Sequence, residues 1–257
     1  MKSKTSVNTP SYLDNIIVCI ISSGRPFRVK PMQDMVGKAI WFVPQDEIKD
    51  YKNCEMILVD KGLSESRNTA LEYCFKKDKI CLMLDDDITG FSLLRGGNNK
   101  PLPSSFHEAL HELYIMLIDS PFKLSALSEY QNNFFFHPRK TKEGWKGLTS
   151  LRSPLATTMI MVRQSTPRFD TKLEVNEDTD FTLQHIVKYG GALKINYIKI
   201  EHNISRMNAK TLQFKKTIEG GITKTIEKQI QACDYLKKKW GKLVKDSKVP
   251  YQVKFNL

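Results

Sequence analysis

In the first third of the chain, short apolar runs rich in β-branched residues alternate with segments of mixed polarity. Asn15–Ser22 (NIIVCIIS), Lys38–Val43 (KAIWFV), Glu55–Asp60 (EMILVD) and Ile80–Asp85 (ICLMLD) are apolar on successive positions, as buried strands are. Between the last two, Ala70, Leu71, Cys74 and Phe75 recur at helical spacing within Ser64–Lys76. Strand, helix and strand joined by short links predict an α/β domain, a parallel sheet covered by helices. Ligands of such sheets bind at the carboxyl ends of the strands, so the residues after each strand carry the functional interest.

Beyond Asp87 the pattern loosens. Arg95–Pro103 (RGGNNKPLP) predicts a mobile loop, His107–Ile118 a helix, and Lys123–Ser128 and Thr157–Arg163 strands. Phe134–Leu148 mixes aromatics, bases and glycines and predicts an irregular segment. Asp178–Tyr189 predicts a helix ending at Gly190-Gly191, followed by a strand at Ala192–Glu201. Ile222, Ile226, Ile230, Cys233, Leu236 and Trp240 mark the apolar stripe of a last, lysine-rich helix. The expected organisation is a polar tail (1–13), a single domain (14–206) and a basic helical extension packed on it (207–257).

Composition narrows the class. The 257 residues are 40% hydrophobic, which suits one folded domain. No apolar stretch is long enough to span a bilayer, and the polar start before Ile16–Ile21 argues against secretion. The expectation is a cytoplasmic protein without membrane insertion. Five cysteines without a C-x-x-C pair indicate neither a disulfide framework nor a zinc cluster. The formal charge of +12 favours polyanionic partners, and twelve lysines against four acids lie within Met207–Leu257.

Four pieces could carry chemistry. Asp85-Asp86-Asp87 ends an apolar strand, and adjacent like charges are unfavourable without a cation. If the segment stays extended, Asp85 and Asp87 project to one side and can hold Mg²⁺ or Mn²⁺. Arg67 and Asn68 open the helix after Asp60 and can meet the acids or a phosphate. Glu177 or Asp178 can cap a helix or act as a general base. His202 ends the strand through Ile195–Ile200 and could be a third ligand of a manganese-type ion. Ser22, Ser23, Gly24 and Arg25 follow the first strand at the same edge, where a nucleotide would sit.

In this order the pieces resemble a GT-A glycosyltransferase, a Rossmann-like fold with a mixed, mainly parallel sheet flanked by helices. The segments ILVDKGLSESRNTALEYC and ICLMLDDDITGF are further similar to the TET/JBP-associated glycosyltransferases, many encoded by bacteriophages. The resemblance implies a donor half over 14–90 and an acceptor half over 91–206. It implies that Asp85, Asp87 and His202 hold Mn²⁺ or Mg²⁺ against a UDP-sugar. Ser22, Ser23, Gly24, Arg25, Asp60, Arg67, Asn68, Asp85 and Asp86 would contact the donor. Asp178, or Glu177, would deprotonate the acceptor hydroxyl. For that group the acceptor is a hydroxymethylated pyrimidine such as 5-hydroxymethylcytosine in phage DNA, modified in the host cytoplasm. The base would be flipped out or single-stranded, with Trp145, Lys146 and Arg139 as its contacts. Competing readings are a transferase acting on polysaccharide, lipid or protein, a non-catalytic nucleic-acid-binding protein, and a metal-dependent nuclease.

Overall fold

The computed structural model describes residues 11–93, 102–128, 139–141, 144–146, 149–202, 207–208, 213–214, 226–248 and 251–257. Its strands are β1 (Ile16–Ile21), β2 (Ile40–Pro44), β3 (Glu55–Val59), β4 (Ile80–Asp85), β5 (Ile88–Leu93), β6 (Leu102–Ser104) and β7 (Leu124–Ser128). There follow β8 (Arg139–Thr141), β9 (Gly144–Lys146), β10 (Thr149–Ser150), β11 (Met159–Val162), β12 (Leu193–His202), β13 (Met207–Asn208), β14 (Gln213–Phe214), β15 (Val244–Asp246) and β16 (Val253–Phe255). The α-helices are α1 (Val29–Val36), α2 (Leu63–Lys76), α3 (Phe106–Ile118), α4 (Glu177–Tyr189) and α5 (Ile226–Trp240).

One ten-stranded sheet runs β3-β2-β1-β4-β11-β7-β12-β5-β6, with β10 paired to β12. The pairings make β3, β2, β1 and β4 parallel, and β7 and β12 share their direction. Only β11, β5 and β10 among the strands of this sheet run the opposite way. The fold is therefore a mixed, mainly parallel sheet flanked by helices in one α/β domain. The strand order reverses between β1 and β4, which makes their carboxyl ends the topological switch point.

Alternation along the strands builds two cores. Ile20, Leu82 and Leu84 face α1 and α3, whereas Cys19, Ile21, Cys81 and Met83 face α2 and α4. Both faces being covered explains the uninterrupted apolar runs of β1 and β4. A third cluster joins Leu173, Val175 and Leu183 to Ala232 and Leu236 of α5 and Val244 of β15. Asp180, fully buried on α4, holds α5 by accepting from Trp240 Nε1 at 2.7 Å and pairing with Lys239 at 2.9 Å.

Several segments differ from the sequence expectation. Leu102–Ser104, expected in the loop Arg95–Pro103, instead pairs with β5 as an edge strand. Residues 95–101 of that loop lie outside the described residues. Within the segment expected to be irregular, β8 and β9 form a hairpin, with Lys140 opposite Trp145. The basic extension holds short hairpins besides its helix, β13–β14 and β15–β16. Ile222 and Phe134–Phe136 lie outside the described residues.

Two outcomes follow from these packings. Ser105 and Glu108 form a reciprocal capping box on α3, Glu108 N–H donating to Ser105 Oγ at 3.1 Å. Ser105→Ala is expected to cost about 1 kcal/mol in urea unfolding, with the m-value unchanged.

His185 on α4 is fully buried between the Phe181 carbonyl (2.9 Å) and Ser165 Oγ (3.2 Å). Burial, helped by the Arg168 charge and opposed by the Phe181 carbonyl, lowers its pKa to about 4. Between about 6.5 and 4 the unfolded chain therefore binds more protons, so stability falls as pH falls through that window. The loss amounts to about 3 kcal/mol. Urea unfolding of His185→Gln beside the wild type at both ends of the window should show a shallower pH dependence in the variant.

Candidate active site

The loop after β1 and the acids after β4 meet at the switch point because the β1–β4 register sets Ile21 opposite Asp85. The chain does not stay extended there; it turns at Asp86-Asp87 before β5 begins. This corrects the expectation that Asp85 and Asp87 project to one side by strand alternation.

Asp85, last residue of β4, continues the face of Cys81 and Met83 and so points toward α2 and α4. There Arg67, 2% exposed, donates to Asp85 Oδ1 at 2.9 Å and to Glu177 Oε1 at 2.5 Å. Its guanidinium also lies 5.3 Å from the centre of the Phe169 ring, itself stacked on Phe181. Burial alone would lower the Arg67 pKa, but Asp85 and Glu177 more than offset it and the net direction is up. Arg67 is thus a buried cation joining the first turns of α2, the end of β4 and the start of α4. Asn68 fixes the same helix differently, donating to the Phe169 carbonyl and accepting from its N–H at 2.9 and 2.8 Å.

Asp86 turns the other way. It is fully buried, accepts from Ser22 Oγ at 2.5 Å and pairs with Arg25 Nη2 at 3.0 Å. Burial raises its pKa to about 7, opposed by the Arg25 charge and the Ser22 hydrogen bond. Tyr51 completes the chain, its hydroxyl 2.6 Å from Ser22 Oγ and accepting from the Arg25 N–H at 3.2 Å. Arg25 also approaches Asp87 at 3.6 Å, and Arg28 holds the turn through the carbonyls of Asp86 and Ile88, both at 2.7 Å. Ser23 Oγ and Gly24 N–H both donate to Glu47 at 2.6 Å.

The remaining candidates are placed unequally. Glu177 and Asp178 open α4, with Asp178 half-buried and accepting from the Thr179 N–H at 2.6 Å. Asn176 immediately before them takes a left-handed conformation (φ 59°) and redirects the chain into the helix. His202 ends β12 opposite Ile88, so its backbone reaches the acidic turn; its side chain lies outside the described residues. Asp60 sits exposed after β3, three strand spacings (about 14 Å) from β4. Arg139, Trp145 and Lys146 lie on the β8–β9 hairpin, and their side chains are outside the described residues.

Sequence reading missed Glu47, Tyr51 and Arg28. The only available signal was position: Glu47 and Tyr51 follow β2, at the same edge as the loop they hold.

The donor set fits a hard divalent ion by type, since Asp85 and Asp87 are partly exposed carboxylates at 27% and 21%. Asp86 is committed inward. The repulsion expected within the triplet is already relieved by Arg25 and Arg67, so the acidic run does not by itself demand a metal.

Fold and switch point together define a Rossmann-like α/β domain. No family model matches the chain, and no curated protein matches it. It is similar to the solved structure of the bifunctional IspDF from Campylobacter jejuni, at 13% identity over 71% of this chain and 51% of that one, TM-score 0.34. It is also similar to mannose-1-phosphate geranyltransferase from Thermus thermophilus, at 10% identity over 72% and 56%, TM-score 0.30. The chain thus spans little more than half the length of either.

Proposed function

We propose that the chain is a transferase using a nucleoside-diphosphate sugar, with UDP as the nucleotide and Mn²⁺ or Mg²⁺ as the ion. The observation that carries this reading is the pair of arginines, Arg25 and Arg67, anchored on acids at the β1/β4 switch point. Of the two, Arg25 keeps an exposed face for a diphosphate, a ligand that such an arginine suits, whereas Arg67 is buried and positions Asp85. Asp85 and Asp87, with His202, would hold the ion, which when bound offsets charge on the departing diphosphate. Arg25, partly exposed, would turn from Asp87 to a phosphate oxygen, while Arg67 stays fixed and orients Asp85. Ser23 and Gly24, now turned to Glu47, offer donors for the nucleotide. Asp178 would accept the proton of the incoming hydroxyl, with Glu177 held by Arg67 beside it at the start of α4.

Calorimetric titration of Mn²⁺ with and without UDP tests the donor reading. Metal binding at least about tenfold tighter with UDP supports it; metal-independent UDP binding, or none, overturns it.

For the acceptor we propose, from the sequence resemblance and the +12 charge, the hydroxymethyl group of 5-hydroxymethylcytosine in DNA. The charge argument loses some weight at the C-terminus, where Lys228 pairs with Glu174, Lys237 with Asp234 and Asp246, and Lys239 with Asp170 and Asp180. Incubation of modified and unmodified DNA with UDP-sugars and Mn²⁺, read by mass spectrometry, should add one sugar only to the modified DNA. UDP release without a DNA product would keep the donor reading and return the acceptor to polysaccharide, lipid or protein. Metal-dependent DNA cleavage would favour the nuclease reading.

A further inference from the structure

Three cysteines far apart in the sequence meet in the core. Cys19 on β1, Cys74 near the end of α2 and Cys81 on β4 are each fully buried, with all three sulfurs within 4.8 Å of one another. The β1–β4 register sets Cys19 opposite Met83 and Ile17 opposite Cys81, which makes the two strand cysteines diagonal neighbours on one face. Cys74 closes the triangle from the covering helix, 3.4 Å from Cys19. Spacing along the chain, which gave no sign of a cysteine cluster, could not show this convergence.

We propose that Cys19, Cys74 and Cys81 form a site for one soft, thiophilic d¹⁰ cation of the zinc and cadmium class. With metal–sulfur bonds of about 2.3 Å, a trigonal set places its sulfurs about 4.0 Å apart. The three thiols are therefore near that spacing before any ion arrives, and small rotations of their side chains close the difference. Among the described residues the cluster consists of thiols, and thiols select soft cations over Mg²⁺ or Mn²⁺. The surroundings, including Ile17, Ile21, Ala70 and Leu71, are apolar and favour a neutral complex. For a divalent ion, neutrality requires two thiolates and one retained thiol, so binding releases two protons. Because the cluster is closed to solvent, the ion enters during folding or through a transient opening of α2. The site is distinct from the acidic turn: Cys81 lies four residues before Asp85, about 13 Å along the strand.

The test refolds the full chain with Cd²⁺ and a phosphine reductant, then removes free ion. A Cys54→Ser/Cys233→Ser chain, which keeps only the three core thiols, should retain one cadmium per chain. It should show the ultraviolet thiolate-to-cadmium band and release two protons per ion. Adding Cys74→Ser should abolish the band, and Cys81→Ala provides the second removal should the first fail to fold by circular dichroism. The proposal is overturned if the three-thiol chain binds no cadmium once folded, or if the band survives loss of Cys74 or Cys81. A Cys19–Cys74 disulfide in chains purified without oxidant would overturn it equally. In any of those cases the sulfurs serve as small hydrophobes.

Discussion

Replacing Arg67 by alanine is expected to destabilise the fold by about 3–5 kcal/mol, the cost of removing one partner from a buried ion network. The substitution leaves Glu177 (7% exposed) and Asp85 facing each other's charge with no cation between them. At this chain length the melting temperature should drop by roughly 10 °C. Arg67→Lys should recover only part of the loss, since one ammonium on a flexible stem cannot span two carboxylates as a planar guanidinium does. A variant as stable as the wild type would mean that the network contributes nothing net.

The second large effect concerns ligand binding rather than stability. Asp87→Ala is expected to weaken UDP-dependent Mn²⁺ binding by more than about 100-fold while leaving the melting temperature within a degree or two. Asp87 is partly exposed, and Arg25 keeps its pair with Asp86 when Asp87 is removed, so the Arg25 charge is not stranded. Asp86→Ala should do the reverse. Its carboxyl is enclosed by Ser22 and Arg25, and its loss disturbs the turn without removing a solvent-facing ligand. Calorimetry and thermal melts of both variants separate the roles. Unchanged metal binding in Asp87→Ala would remove Asp87 from the ion site.

Much of the architecture was legible because it follows from period and burial. The runs around Ile20, Trp41 and Leu82 are strands for the reason that made them visible, two covered faces, while the run around Ile57 is an edge strand covered only in part. Edge strand β6 was hidden, because two of its three residues, Pro103 and Ser104, are turn formers, and an edge tolerates proline where a centre does not. At the candidate site, chemistry-bearing residue types were readable but their partners were not. Arg67 meets Glu177 across 110 positions, and Asp85 and Asp86 separate to opposite faces through one turn that no composition signals. The cysteine triangle was invisible for the same reason: it exists only once β1, β4 and α2 are stacked.

The anchoring of α5 on Asp180 has a consequence for biosynthesis. Asp180 lies one turn beyond Glu177 on α4, and the Trp240 that caps it is made 60 residues later. A nascent chain can pair β1 with β4 and seat α2 early, yet Asp180 on its α4 has the Gln184 amide beside it and lacks the cation and indole N–H of α5. At about 5–20 residues per second, that interval lasts several seconds. During it the helix bearing Glu177 and Asp178 is held only from one side. The site therefore matures last, and a ribosome-stalled fragment lacking α5 should be folded in its sheet but slack at its acids.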